Sequence, residues 1–295
     1  MTERVDVREV GPRDGLQAEA PVAVEDRVRL VEALLEAGVR HVEACSFVSP
    51  KAVPSMAGAA DVVAGLAGSV PAGARVVALV PNLRGAELAL EAGVPELSVT
   101  ISASPAYNEK NVRMTVADSL ASVAAVCKLG VPVDAVVSCA FGSPYEGDIP
   151  VEDVAALGAA LRAVGCASLT YADTTGMATP PRVAALVEVV GVDVGLHLHE
   201  TRGTGLVNAY AALEAGVRRF DTSVGGLGGS PFAAGAAGNL ATEDLVYLCD
   251  ELGLSTGIDL DRLLAASALV ADLVGHPVPS RVAAAGPRTR LASSA

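Results

Sequence analysis

Eight short apolar runs of strand character recur along the chain at an average spacing of roughly 30 residues, the size of one strand plus its crossover helix. The runs are 5–10, 39–45, 75–80, 97–102, 133–140, 169–172, 194–199 and 219–224. They are apolar on both faces, as is typical of parallel strands covered by helices. Eight such units predict a closed (β/α)8 barrel, which takes about 250 residues. A doubly wound open sheet is the alternative. No Gly-x-Gly-x-x-Gly follows the first run, which argues against a dinucleotide-binding fold.

The segments between the runs carry helix signals. Residues 27–37 place Val28, Val31, Leu34 and Leu35 on one helical face. The tetrapeptide Glu-Ala-Gly-Val occurs at 36–39, 91–94 and 214–217, and each copy predicts a helix that ends at glycine before a buried strand. Additional helix is expected over 252–285. We therefore expect one domain over residues 1–285 and a flexible tail over 286–295.

Composition excludes several classes of partner. The net charge is −13 with no block of five like charges, which argues against nucleic acid and anionic membrane surfaces. No apolar run reaches the ~18 residues of a membrane span. The charged N-terminal segment argues against a signal peptide. Five cysteines without a Cys-x-x-Cys pair predict reduced thiols in a cytoplasmic protein.

The heptapeptide 11–17, Gly-Pro-Arg-Asp-Gly-Leu-Gln, directly follows the first strand-like run. Two glycines and a proline predict a turn that aims Arg13 and Asp14 into one cavity. A solvated ion pair on the surface is the alternative. In barrels of this kind the active site lies at the carboxyl ends of the strands, where Glu43 and Asp173 also lie.

Two of the four histidines, His197 and His199, are two residues apart on the seventh run. Their side chains therefore point to the same face of the strand. Strand one neighbours strand eight in a closed barrel, so Asp14 can join them. Two imidazoles and a carboxylate predict a site for a divalent metal, Mg, Mn or Zn. A pair of hydrogen-bonded core histidines is the alternative.

The glycine-rich run 225–229 is interpreted as a mobile lid, with a tight barrel turn as the alternative. It lacks the Gly-Lys-Ser/Thr ending of a nucleotide-binding loop, which argues against ATP. The chain also lacks the Gly-x-Ser-x-Gly elbow of many serine hydrolases.

Six segments together resemble the 3-hydroxy-3-methylglutaryl-CoA (HMG-CoA) lyase family of the DRE-TIM metallolyase superfamily. They are 9–17, 42–54, 141–147, 172–176, 197–199 and 238–244. The resemblance extends over about residues 5–284. It implies retro-Claisen cleavage of an acyl-CoA: a 3-hydroxyl loses its proton, a carbon–carbon bond breaks, and an acetyl-CoA enolate departs. It also implies a homodimer.

The resemblance implies roles residue by residue. The metal ligands would be Asp14, His197, His199 and Asn239. Arg13 would stabilise the enolate oxygen, while Glu43 and Asp173 would be carboxylates near the metal and the substrate hydroxyl. Candidate substrate-binding residues are Gln17, Asn108, Lys110 and Arg202.

Three positions depart from the family. Ser230 stands where the lyases carry a catalytic cysteine, and a serine hydroxyl is a far weaker acid than a thiol. Arg202 stands in place of a tyrosine, which predicts pairing with an anionic group of the substrate or else an exposed salt bridge. Cys45 replaces a threonine.

Three explanations of Ser230 remain open. In the first, the enzyme cleaves a related 3-hydroxyacyl thioester with another group or water as proton donor. Alternatively, it runs in the condensing direction, as the Claisen synthases of the superfamily do. The third explanation is a non-catalytic acyl-CoA-binding relative.

Overall fold

A closed barrel of eight parallel strands forms the centre of the molecule, in a computed structural model that describes residues 3–229 and 238–290. The strands are β1 (Asp6–Glu9), β2 (His41–Ser46), β3 (Arg75–Leu79), β4 (Glu96–Ser102), β5 (Val133–Ser138), β6 (Ser168–Ala172), β7 (Gly195–His197) and β8 (Arg219–Thr222). They pair in sequence order and β8 closes on β1, so the predicted (β/α)8 barrel is confirmed.

Helices surround the barrel. They are α1 (Val24–Glu36), α2 (Ala59–Gly65), α3 (Leu83–Glu91), α4 (Pro105–Val112), α5 (Val116–Cys127), α6 (Val151–Ala163), α7 (Pro180–Val190), α8 (Gly205–Glu214), α9 (Thr242–Glu251), α10 (Leu260–Val274) and α11 (Arg281–Ala285). The last two follow the eighth strand–helix unit, which confirms the expected helical addition. None of the helices in the described ranges is long and apolar enough to cross a bilayer.

The repeated tetrapeptides end helices as predicted. Gly38, Gly93 and Gly216 adopt φ values of 104°, 90° and 99°, a left-handed conformation that only glycine adopts without strain. Each glycine lies two residues after the last residue of its helix and three residues before the next strand.

Three of the four residues predicted for the apolar face of α1, Val31, Leu34 and Leu35, are buried. The helix begins at Val24, and Leu30 and Arg27 are fully buried while Val28 is only partly buried. Arg27 can be buried because its Nη1 donates to the carbonyl of Ala57 at 2.8 Å. A buried arginine with an internal acceptor is not visible in an apolar periodicity.

The predicted division at residue 285 stays a prediction. The segment after α11 contacts the body of the protein through Arg288, whose Nε donates to Glu251 at 2.7 Å. Residues 291–295 of the predicted tail lie outside the described residues.

Candidate active site

A five-residue π-helical turn, Gly11–Gly15, places Arg13 and Asp14 at the carboxyl end of β1. The N–H groups of Asp14 and Gly15 both donate to the carbonyl of Val10. A Cβ atom at Gly11 would lie 2.7 Å from Glu9 Oε1 and 2.8 Å from Val224 Cγ1, so only glycine fits there. π-Helical turns are rare and are frequent at functional sites. The predicted turn exists, and its form is a π-helical one.

The predicted ligand atoms of Asp14, His197 and His199 all lie within 4.8 Å of one another. The two Nε2 atoms are 3.1 Å apart, and His197 Nε2 is 3.9 Å from Asp14 Oδ2. Burial, and then the neighbouring His197, lower the pKa of His199 to about 3, so its ring is neutral at pH 7. Two imidazole nitrogens converging with a carboxylate are the donor set of a divalent metal site.

Asn239 completes this group from the segment after β8. Its Nδ2 donates to Asp14 Oδ2 at 2.7 Å and to the carbonyl of Leu227 at 2.9 Å. Its Oδ1 is buried and has no hydrogen-bond partner among the described residues. A buried amide oxygen left without a donor fits a bound cation, so the residues present fit a metal.

Asp14 is ionised at neutral pH. Burial acts to raise the pKa of its carboxyl, but Arg13, His197 and the amide of Asn239 together lower it to about 2. The carboxylate is therefore available as a ligand over the whole neutral range.

Arg13 bridges two carboxylates. Its Nε donates to Glu43 Oε2 at 2.5 Å and its Nη1 to Asp14 Oδ1 at 2.6 Å. A bulge at Ala44 shifts the register of β2 against β3 just after Glu43. Glu43 is 1% exposed, and its other oxygen, Oε1, has no partner in the described chain. The guanidinium is thus held rigidly beside the candidate metal centre.

Asp173 directly follows β6 on the same side of the barrel. Its Oδ1 accepts from the N–H groups of Met177 and Ala178 at 2.6 and 2.9 Å, while its buried Oδ2 finds no partner among the residues described. Burial raises the pKa of this carboxyl to about 7, against the two backbone hydrogen bonds. A carboxyl with a pKa near neutrality can accept or donate a proton under working conditions.

A family profile described as HMGL-like matches residues 4–270. The hydroxymethylglutaryl-CoA lyase of Bacillus subtilis is 40% identical to this chain, with 94% of this chain and 96% of that protein covered. The chain belongs to the HMGL-like family. It is a carbon–carbon lyase of that family, and the predicted resemblance to the HMG-CoA lyases of the DRE-TIM superfamily is confirmed.

Two further HMGL-like relatives extend the comparison. The (R)-citramalyl-CoA lyase of Chloroflexus aurantiacus is 42% identical, with 97% of this chain and 96% of that protein covered. The crystal structure of the hydroxymethylglutaryl-CoA lyase of Pseudomonas aeruginosa superposes with a TM-score of 0.92 at 41% identity, over 97% of this chain and 98% of that chain.

Among the predicted substrate-binding residues of this HMGL-like lyase, Asn108 has an internal role. It is 1% exposed. Its Oδ1 accepts from the N–H of Ser102, and its Nδ2 donates to Met114 O and Ser119 Oγ. All of its polar atoms are therefore used inside the protein. The residue holds α4 against β4 and α5, and its predicted contact with substrate stays a prediction.

Lys110 and Gln17 remain open to a ligand. Lys110 is exposed on α4, with its Nζ 4.9 Å from the centre of the Tyr145 ring. Gln17 is half-buried just beyond the π-helical turn, and its carbonyl accepts from Ser55 Oγ at 2.7 Å.

Arg202 is exposed, and its hydrogen bonds among the described residues go to backbone carbonyls. Its Nη1 donates to the carbonyls of Thr175 and Gly176 at 2.7 and 2.8 Å. No carboxylate of the described ranges forms an ion pair with it, so the exposed salt bridge is not observed. Arg202 instead braces the loop that carries Asp173.

The glycine-rich run is a tight turn in its described part. Val224–Gly226 form a short 3-10 turn in which Gly225 and Gly226 have φ values of 72° and 74°. The residues are buried, and the N–H of Gly225 donates to Glu243. Residues 225–227 therefore form the tight barrel turn that was the alternative to the lid interpretation. Ser230 lies outside the described residues.

Cys45 is fully buried in the hydrophobic core, and burial raises the pKa of its thiol to about 12. The thiol is therefore protonated at neutral pH and acts as a small core side chain.

Sequence reasoning missed Asp221 and Arg8, which support the metal centre from inside the barrel. Asp221 Oδ2 accepts from His197 Nδ1 at 3.2 Å. Burial opposes its ionisation, but Arg8 and His197 hold the pKa of Asp221 well below its usual range. The sequence signal that could have found them is a charged residue within a strand that is covered on both faces, because a charge buried there must be paired.

Proposed function

We propose that the protein is a metal-dependent lyase that cleaves HMG-CoA or a close 3-hydroxyacyl-CoA to acetyl-CoA and a keto product. One observation carries the proposal: the converging ligand atoms of Asp14, His197 and His199, with Arg13 fixed 2.6 Å from Asp14. A retro-Claisen cleavage needs a group that lowers the pKa of the 3-hydroxyl and a cation that stabilises the negative charge of the enolate. The site supports both.

Asp14, His197, His199 and the Oδ1 of Asn239 would hold the metal. The chemistry that a divalent cation supplies at such a site is to lower the pKa of a coordinated hydroxyl and to orient it. Mg and Mn suit the two oxygen donors, while the two imidazoles also accommodate Zn. Asn239 additionally keeps the Asp14 carboxylate in place through its hydrogen bond.

Arg13 would stabilise the charge that develops on the thioester oxygen. Two of its donors are engaged by Glu43 and Asp14, and a guanidinium carries five N–H groups, so further donors remain for substrate. Because the two carboxylates fix the group before substrate arrives, little reorganisation accompanies the reaction. We assign to Glu43 the role of orienting Arg13.

Asp173 would take the proton of the substrate 3-hydroxyl. Its unpartnered Oδ2 is the available acceptor, and a pKa of about 7 matches a base that works near neutrality. The protonated carboxyl can then return the proton or pass it to solvent when product leaves.

Ser230 would orient a water that protonates the departing enolate, since its own hydroxyl is too weak an acid to do so readily. Arg202 and Lys110 would meet anionic groups of the substrate, with Gln17 beside the reacting end. Among the described residues, Arg202 donates through its Nη1, which leaves other donors of its guanidinium for a carboxylate.

Citramalyl-CoA is a second candidate substrate. The Chloroflexus enzyme named for it is 42% identical to this chain, as close as the relatives named for HMG-CoA. Its carboxylate is attached directly to the carbinol carbon, one methylene closer than in HMG-CoA. Arg202 in place of the usual tyrosine is consistent with a shifted carboxylate.

The protein would act in the cytoplasm as a homodimer, without nucleic acid or membrane partners. Five cysteines without a disulfide support a reducing compartment. The dimer rests on the resemblance to the family.

The test is acetyl-CoA release by the purified protein with Mg or Mn, using HMG-CoA and citramalyl-CoA in parallel. Turnover of either substrate, lost in a matched Asp14→Asn variant that still folds, supports the proposal. Condensation of acetyl-CoA with a keto acid, without cleavage, would point to a synthase. Binding of acyl-CoA with no reaction in either direction would point to a non-catalytic relative.

A further inference from the structure

A buried hydrogen-bonded relay leads from the candidate metal centre into the barrel interior. Arg8 on β1 grips both oxygens of Asp221, with Nε–Oδ1 at 2.8 Å and Nη2–Oδ2 at 2.6 Å. Asp221 Oδ2 also accepts from His197 Nδ1 at 3.2 Å. Strand register sets this relay, because His197 pairs with Asp221 across β7 and β8, and Asp221 pairs with Arg8 across β8 and β1.

The same guanidinium continues to the other side of the barrel. Arg8 Nη1 donates to Asp134 Oδ2 on β5 at 2.9 Å, and Nη2 reaches Thr170 Oγ1 on β6 at 3.4 Å. Arg8, Asp134 and Asp221 are each 5% exposed or less. A planar guanidinium can serve two carboxylates in this way, whereas the point charge of a lysine cannot reproduce the fork.

The relay determines which nitrogen of His197 faces the metal. Because Nδ1 lies 3.2 Å from the Asp221 carboxylate, Nδ1 is the nitrogen suited to donate there, which leaves Nε2 as the ligand atom that faces Asp14 and His199. Ligating histidines commonly donate their second N–H to such a carboxylate, and losing that partner typically weakens metal binding about 10- to 100-fold. Arg8 is the group that holds this carboxylate.

We propose that Arg8 is a positioning residue for the metal centre, acting through Asp221 to hold the ring of His197 with Nε2 aimed at the metal. This inference rests on the proposed metal-dependent function. A role limited to stability is the competing explanation, and Asp134 distinguishes the two. Asp134 belongs to the same buried network but lies on the side of Arg8 away from His197.

The experiment measures the Mn²⁺ dissociation constant by electron paramagnetic resonance titration of the full-length protein. Arg8→Lys keeps the positive charge but loses the two parallel hydrogen bonds to Asp221. The variant should therefore bind Mn²⁺ about 10- to 100-fold more weakly than the wild type. Asp134→Asn disturbs the same network and should bind like the wild type. Arg27→Lys, at a buried arginine of α1 whose Nη1 donates to the carbonyl of Ala57, controls for a general loss of packing. Urea unfolding of each variant checks that it is folded.

Asp221→Asn is the second variant, in case Arg8→Lys fails to fold. It replaces one carboxylate oxygen by an amide nitrogen, so Arg8 can no longer donate to both side-chain oxygens. Mn²⁺ binding should weaken to a similar extent. If wild-type protein binds no Mn²⁺, the proposed function is overturned and this inference with it. If the wild type binds Mn²⁺ and the folded Arg8 or Asp221 variant binds equally tightly, only the role of Arg8 is overturned. Equal weakening in Asp134→Asn would also overturn it.

Discussion

Replacing Arg13 by glutamine tests whether this side chain acts in catalysis or only in stability. Arg13 holds two carboxylates, and Glu43 is 1% exposed with its Oε1 unpartnered within the described chain. Removing the guanidinium leaves Glu43 buried without its cation, which should lower the free energy of unfolding by about 3–5 kcal/mol. The loss of a preorganised donor at the enolate oxygen should lower kcat by about 10²- to 10³-fold, or about 2.7–4 kcal/mol.

The double variant Arg13→Gln with Glu43→Gln separates these effects. It leaves no unpaired charge at that position, so much of the lost stability should return while the rate stays low. Urea unfolding and acetyl-CoA release under saturating metal measure the two quantities. A single variant whose kcat lies within a few-fold of wild type would refute the catalytic assignment. So would recovery of the rate in the double variant.

Four further predictions concern other parts of the site. Asp173 must be ionised to accept a proton, so log kcat/KM of the wild type should fall with unit slope below about pH 7. Asp173→Asn should be nearly inactive, and its residual activity should lack this fall at low pH. A wild-type kcat/KM that does not change with pH would contradict this. Gly11→Ala places a methyl 2.7 Å from Glu9 Oε1, so it should lower the melting temperature and acetyl-CoA release together, and an unchanged variant would disprove the packing argument. Arg202→Tyr should change the kcat/KM ratio between HMG-CoA and citramalyl-CoA, and an unaltered ratio would exclude a substrate contact. Ser230→Cys should raise the cleavage rate, because a thiol is the better acid near neutral pH; no gain would mean that proton delivery does not pass through this position.

The barrel could be predicted from the chain because each strand–helix unit repeats the same local signals. Glycine at positions such as Gly38 and Gly216 stops a helix regardless of tertiary context. The metal group followed from the fold, since His197 and His199 lie at a strand end and closure brings Asp14 beside them. These inferences needed only period, spacing and barrel closure.

Features that depend on the register between distant strands were not predicted. The contact of Arg8 with Asp221 exists because β8 closes on β1 with a particular alignment, which no local pattern specifies. The π-helical form of the turn at 11–15 and the bulge at Ala44 were not predicted either. The internal hydrogen bonds of Asn108 were not predicted either, because a polar residue looks the same in sequence whether or not its side chain is bonded inside the protein.

Metal dependence of carbon–carbon cleavage tests the central claim most directly. Protein stripped with a chelator and then dialysed should release no acetyl-CoA from HMG-CoA or citramalyl-CoA. Adding back Mg or Mn should restore cleavage in proportion to occupancy of a single site per chain, formed by Asp14, His197 and His199. Full cleavage activity in a preparation verified to be free of metal would contradict the account.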